Sequence, residues 1–294
     1  MTAGIPATAT PPDPMDIGGR RFVWGERTFV MGILNVTPDS FSGDGLLSDP
    51  SGAPERAVEI AREMVAEGAD ILDIGGESTR PGHAAVDEAE ELDRVIPVVR
   101  SIHAALPGTP LSIDTTKAAV AAAALDAGAS LLNDVWGSGP DAAMKRLAAT
   151  RGVPIVLMHN RAEPIYRDLI GEVVADLRAA VEEAVSLGVP RGSIIIDPGF
   201  GFGKTASQNL VLLDGLDRLR VLGRPILLGT SRKSTLGRVL GTDPGDRLEA
   251  TLATTALAVR SGVDVVRVHD VQANVRAARM ADAVVRGWAA GAGA

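Results

Sequence analysis

The chain contains no cysteine. Disulfide frameworks, thiolate zinc sites, iron–sulfur clusters and cysteine nucleophiles are therefore excluded together. Only four histidines are present, His83, His103, His159 and His269, at spacings that match no zinc-binding pattern. Aromatic residues make up 3% of the chain, so the core must be aliphatic. No apolar run is long enough to cross a bilayer, and the most apolar segment, 118–132, is broken by Asp126 and Gly128. Positive charge is in deficit, with 29 Lys and Arg against 37 Asp and Glu for a net charge of −8. This balance argues against a nonspecific nucleic-acid binder or a protein that adheres to anionic membranes. It does not oppose an anionic small substrate, which needs only a locally basic cleft.

What is present is 294 residues, 46% of them hydrophobic, with 33 glycines. That length fits two ordinary domains or one (β/α)8 barrel of about 250 residues. The opening Ala, Thr, Pro and Gly residues show neither a basic start nor a signal-type apolar stretch. They predict a disordered leader over 1–18 of a cytoplasmic protein, with Met1 and Met15 both candidate starts, and a frayed tail over 291–294.

From about residue 28 one pattern recurs: a short apolar run, a cluster of Gly, Pro, Asn, Asp or Ser, then a longer amphipathic stretch. Eight apolar runs lie at 29–34, 71–74, 111–113, 131–132, 155–158, 194–196, 226–228 and 263–268. Between them, spacings such as Val58, Ala61, Met64, Val65 and Leu92, Val95, Ile96, Val99 predict helices, as do 118–127, 142–149, 173–187, 210–222, 248–259 and 275–285. Eight strand-then-helix units predict a single α/β domain over 19–290, a closed (β/α)8 TIM barrel, with an open doubly wound sheet as the alternative. Upstream, 21–24 and 28–31 flank Gly25 and predict a β-hairpin that caps the barrel floor.

In such a barrel the active face is built at the C-terminal ends of the strands. The polar residues fall there: Asn35 after the first run, Asp73 and 75–80 at the second, Asp114, then Asn133 and Asp134, His159, Asp197, 231–234, and Arg267, His269 and Asp270. Singly, Asp39, Asp134 and Asp270 read as turn or capping residues. The set as a whole does not, because charges gathered at one mouth are too costly as filler. Familiar nucleotide motifs fail: a P-loop needs glycine where Pro198 stands, and a dinucleotide fingerprint needs glycine where Phe202 and Lys204 stand.

Five motifs then occur in order: Asn35-Val-Thr-Pro-Asp-Ser-Phe-Ser42, Gly75-Gly-Glu-Ser-Thr-Arg-Pro-Gly82, Asp197-Pro-Gly-Phe-Gly-Phe-Gly-Lys204, Ser231-Arg-Lys-Ser234 and Arg267-Val-His-Asp-Val271. Together they resemble the dihydropteroate synthase family, a sulfonamide target of folate biosynthesis, over residues 21–288. The resemblance implies a (β/α)8 barrel and a homodimer. It implies a transferase that joins 6-hydroxymethyl-7,8-dihydropterin diphosphate to 4-aminobenzoate with loss of pyrophosphate.

By the same resemblance, Asp114, Asn133, Met158, Asp197, Lys233 and Arg267 form the pterin pocket. Asp114, Asp197, Lys233 and Arg267 would carry the chemistry. Carboxylates suit the N–H-rich pterin edge, and a guanidinium suits its face. The diphosphate would meet Asn35, Arg80, Arg267 and His269, with Asn35 on Mg²⁺. Aminobenzoate would lie among Phe41, Thr79, Pro81 and Phe202, its carboxylate at Ser234. Loops 37–50 and 78–86 are expected to close over the diphosphate.

Two departures stand out from the family pattern, the order Ser42-Gly-Asp-Gly45 and the stretch His159-Asn-Arg-Ala-Glu-Pro164; neither touches the pterin or diphosphate positions. A pterin-dependent methyltransferase, a non-catalytic pterin-binding paralogue and a sugar-phosphate barrel are the rival readings. The first has no use for the 231–234 and 267–269 motifs, and the last leaves the acidic pocket unexplained.

Overall fold

The computed structural model describes residues 11–37, 53–77, 86–139, 141–243 and 245–288. Two short strands, β1 (Met15–Ile17) and β2 (Arg20–Phe22), pair antiparallel. Eight parallel strands follow: β3 (Phe29–Asn35), β4 (Ile71–Gly75), β5 (Leu111–Asp114), β6 (Leu131–Asp134), β7 (Ile155–Met158), β8 (Ile194–Asp197), β9 (Leu227–Leu228) and β10 (Val265–Val268). Their order is β8-β7-β6-β5-β4-β3-β10-β9. The ring closes through one parallel bridge between Ile196 and Ile226, where Ile196 N–H donates to Pro225 O at 2.9 Å. The barrel is therefore observed and the open sheet is not.

The outer layer comprises α1 (Ala53–Glu67), α2 (Glu88–Ala105), α3 (Ala118–Ala127), α4 (Ala143–Arg151), α5 (Leu169–Ser186), α6 (Ala206–Asp214), α7 (Ser234–Leu240), α8 (Leu248–Arg260) and α9 (Val271–Val285). The helix expected over 210–222 is instead two pieces. Gly215 ends α6, and the chain tightens into a 3-10 helix, Leu216–Leu222, whose three-residue spacing turns both Leu216 and Leu219 inward. The short α7, which starts at Ser234, precedes α8 in the same crossover.

The N-terminal hairpin corrects the sequence reading in two ways. Its arms are β1 and β2 rather than 21–24 and 28–31, because Gly18 and Gly19, with φ of 56° and 79°, supply the two left-handed residues of a tight hairpin turn. Met15–Ile17 is accordingly strand, not leader. The hairpin nevertheless covers the floor. Met15, Ile17, Phe22 and Trp24 pack with Phe29, Met31, Ile71, Leu131, Val156, Ile195, Leu227 and Val265, most of them at the inlet ends of the barrel strands. Asp70 ties it down, accepting from Arg20 Nη2 at 2.6 Å, Arg27 Nη2 at 2.7 Å and Val30 N–H at 3.0 Å.

The larger core lies between barrel and helices and is aliphatic apart from Phe200 among its fully buried members. Among the described residues no helix is long and apolar enough to cross a membrane.

Candidate active site

Parallel register aligns the strand ends and so builds the site. Asp114 on β5 sits opposite Asn133 on β6, and Met158 on β7 opposite Asp197 on β8. Asp73, Asp114, Asn133, Met158 and Asp197 are all buried. Arg267, reaching in from β10, bridges two of the carboxylates: its Nε donates to Asp73 Oδ2 at 2.5 Å and its Nη2 to Asp114 Oδ2 at 2.7 Å. Asn133 Nδ2 adds a third contact, to Asp73 Oδ2 at 3.0 Å. The other oxygens, Asp73 Oδ1 and Asp114 Oδ1, are buried with no hydrogen-bond donor. Such acceptors are costly when empty, and a ligand bearing N–H groups would satisfy them.

Burial sets the protonation of this pocket. It pushes the Asp114 carboxyl up to about 7 although Arg267 pulls the other way. It also raises Asp197, against the opposing Lys233 charge and the Gly199 N–H. Lys233 is lowered to about 8 by burial, with Asp197 opposing. For Arg267 burial works against the cation, but Asp73, Asp114 and Asp197 more than offset it and raise its pKa.

The loop after β8 lies beside these groups. Asp197 Oδ1 accepts from Gly199 N–H at 2.7 Å. Gly199 has a φ of 70°, and a Cβ there would stand 1.8 Å from His159 O, so only glycine fits. Lys233 Nζ donates to Phe200 O and lies 4.4 Å from the centroid of the Phe202 ring. Asn209 joins this loop to α7, accepting from Gly201 N–H at 2.7 Å and donating to Thr235 Oγ1 at 2.9 Å.

The loop after β9 carries Arg232, the one non-glycine residue of positive φ, 57°, among those described. Its Nη2 meets Asp270 Oδ1 at 2.6 Å, which links the segments after β9 and β10 that carry the neighbouring Lys233 and His269. Asp270 is thus an ion-pair partner and gives no side-chain cap to α9. Asp134, by contrast, is a turn residue as read, accepting from Trp136 N–H at 3.0 Å. His269 Nδ1 is 3.0 Å from Ser231 Oγ, whose oxygen also accepts from His269 N–H at 3.2 Å.

The structure thus gathers Asp114, Asn133, Met158, Asp197, Phe202, Lys233, Ser234, Arg267 and His269 at one end of the barrel, with Asn35 ending β3 opposite Gly75. Phe41, Thr79, Arg80 and Pro81, and most of the two expected closing loops, lie outside the described residues. Three contributors were given no role from sequence: Asp73, noted only as a polar residue at a strand end, Lys204, noted only as the last residue of a motif, and Asn209. The signal for Asp73 is a charge inside the run Ile-Leu-Asp-Ile-Gly, and Asn209 left none.

Among the described residues no group of three or more His, Asp or Glu is placed to hold a metal ion. A single amide oxygen from Asn35 still fits Mg²⁺, which keeps water and phosphate oxygens and takes few protein ligands.

The class is a pterin-binding enzyme: the family model of that description matches residues 31–269, and the buried acidic pocket with convergent cations lies at the C-terminal face of the matched barrel. The dihydropteroate synthase of Clostridium beijerinckii is 48% identical over 273 residues, covering 92% of this chain and 100% of that protein. The crystal structure of dihydropteroate synthase from Clostridium difficile in the presence of pteroic acid has a TM-score of 0.86 at 49% identity, covering 90% of this chain and 99% of that one. That of Xanthomonas albilineans dihydropteroate synthase with 4-aminobenzoic acid has a TM-score of 0.84 at 43% identity, covering 93% and 98%. This chain belongs to the dihydropteroate synthases, transferases of folate biosynthesis.

Proposed function

We propose that the chain condenses 6-hydroxymethyl-7,8-dihydropterin diphosphate with 4-aminobenzoate to give 7,8-dihydropteroate and pyrophosphate. One observation carries the reading: Arg267 is stapled across Asp73 and Asp114, each of which keeps a buried oxygen without a donor. A pterin offers adjacent N–H groups to such acceptors and a flat face to a guanidinium. On entry it takes over Asp114, while Asp73 keeps hold of Arg267 Nε. Asn133 and Asp197 complete the acceptor set, Met158 supplies an apolar wall, and Lys233 donates to the pterin carbonyl and ring nitrogen.

Arg80, Arg267 and His269 bind the diphosphate, and Asn35 would hold Mg²⁺. The metal supplies charge neutralisation to the leaving group. The bond from the pterin methylene carbon to the diphosphate oxygen breaks with its electron pair on oxygen, and the conjugated dihydropterin stabilises the cation left behind. The amine nitrogen of 4-aminobenzoate, unprotonated at neutral pH, attacks that carbon. Its surplus proton passes to solvent or to the departing pyrophosphate. Positioning and fixed charge do the work, without a strong general base. Phe41, Thr79, Pro81 and Phe202 line the aminobenzoate slot, with Ser234 at its carboxylate.

Assembly as a cytoplasmic homodimer belongs to the same reading. The support for association, as distinct from location, is a set of exposed apolar side chains on successive helices, Val239 and Leu240 on α7, Leu257 on α8, and Met280 and Val284 on α9. The experiment that tests the function is pyrophosphate release with pterin diphosphate, 4-aminobenzoate and Mg²⁺ each omitted in turn. Release should require all three, and its absence from the complete mixture would end the proposal.

A further inference from the structure

We propose that Lys204 is a positioning residue for the aromatic-amine half of the reaction, its ammonium clasping the glycine loop and holding Phe202 against Lys233. The inference rests on the function proposed above.

Lys204 Nζ makes three contacts, each 3.0 Å long: it donates to Gly199 O, to Phe202 O and to His159 Nδ1. An ammonium has three protons and no lone pair, so its donor capacity is filled. For His159 to accept at Nδ1, its proton must sit on Nε2, and Nε2 lies 3.1 Å from Asp176 Oδ2. A carboxylate there can only accept, which fixes that tautomer. Asp176, on α5, is itself gripped by Arg161 through Nε at 3.1 Å and Nη2 at 2.8 Å, and Arg161 Nη1 reaches Glu172 at 2.7 Å. A continuous chain of contacts therefore runs from α5 through a buried imidazole to the loop.

From the other side Lys233 donates to Phe200 O and faces the Phe202 ring. Three carbonyls of one short loop, those of residues 199, 200 and 202, end on two ammonium groups. Phe202 is thus held at its carbonyl by Lys204 and at its ring by Lys233. Burial pushes the Lys204 ammonium down to about 7, with Asp197 and Asp176 favouring its cation and Lys233 and Arg161 opposing it, so the clasp is fully protonated only below neutral pH. Burial, with Lys204 beside it, holds His159 down to about 4, in keeping with a neutral imidazole that accepts.

Lys204→Met removes the donors at similar length, and Lys204→Arg restores them. In the methionine variant KM for 4-aminobenzoate should rise at least tenfold, with KM for the pterin diphosphate moving less than threefold. The arginine variant should return the first value to within threefold of the parent. Nitrogen-15 NMR of the parent should show His159 neutral and protonated on Nε2 from pH 5 to 8, and the methionine variant should shift its Nδ1 resonance.

Equal changes in the two KM values, or none, would overturn the inference. So would a charged or Nδ1-protonated His159 in the parent at pH 7, a result that needs no variant. A parent that releases no pyrophosphate would refute the proposed function instead, leaving the tautomer measurement to judge the clasp.

Discussion

Asp73 offers the sharpest test of how the pocket is held. Its Oδ2 receives both Arg267 Nε at 2.5 Å and Asn133 Nδ2 at 3.0 Å, and the side chain is fully buried. Asp73→Ala would leave both donors without that acceptor. Breaking a buried ion pair by removing one partner costs about 3–5 kcal/mol. Arg267 keeps Asp114 as a partner and its side chain is 19% exposed, so the low end applies, about 3 kcal/mol. At about 2–4 °C per kcal/mol for a chain somewhat shorter than this one, that is a fall in Tm of roughly 6–12 °C.

Asp73→Asn keeps an acceptor oxygen and should recover part of the stability, but not the charge that steadies the guanidinium. Both variants should lose about 100-fold in kcat/KM, the scale of one preorganised electrostatic contact. Urea denaturation and the pyrophosphate assay read the two effects separately. An alanine variant within about 1 kcal/mol of the parent and within tenfold in activity would show that Asp114 alone positions Arg267.

Arg232 holds φ at 57°, so Arg232→Gly relieves left-handed strain that Arg232→Ala retains, and the glycine variant should be the more stable by about 1 kcal/mol in denaturant melts. Equal stability would show that no strain is stored there. The Asp114 carboxyl is raised to about 7, above its unfolded value of 3.8. Its contribution is therefore fully present below about pH 4 and lost as pH climbs through 7. His159, lowered to about 4, acts in the opposite sense, so the difference between parent and Asp114→Asn isolates the carboxyl. The variant should gain on the parent from pH 4 to 7, and a difference that stays flat would refute the raised value. On the homodimer proposed above, Leu257→Glu with Met280→Glu should give a monomer in sedimentation velocity; a monomeric parent would end that proposal, and an unchanged dimer would move the interface off α8 and α9.

The fold was legible because its strand signal repeats. Each barrel strand is an apolar run ended by a polar residue, and all eight runs became strands. The errors came where local chemistry competes. At the N-terminus Gly18-Gly19 outranks Gly25 as the hairpin turn, since a two-residue turn needs adjacent left-handed positions. In 210–222 the apolar spacing suits either helix type, and the break at Gly215, where a Cβ would press on Ile170 at 3.1 Å, decides it. Neither outcome depends on the periodicity from which strands and helices are read.

The site divides in the same manner. Asp114, Asn133, Asp197, Lys233 and Arg267 reach one mouth because each sits at a strand end or in the loop that follows, the last three within motifs. Which groups pair there depends on register and pleat, which the chain does not spell out locally. Asp73 lies 194 residues from Arg267 and meets it only because β10 and β4 flank β3. Lys204 stands beside a glycine-rich stretch that resembles a phosphate cradle, yet the structure turns its ammonium onto that stretch's own carbonyls. The two lysines of the 197–204 and 231–234 motifs thus divide the labour that their shared charge conceals: Lys233 faces the pocket, and Lys204 secures the loop that shapes it. Removing the first should abolish turnover, whereas removing the second should move the aminobenzoate slot and leave pterin recognition largely in place.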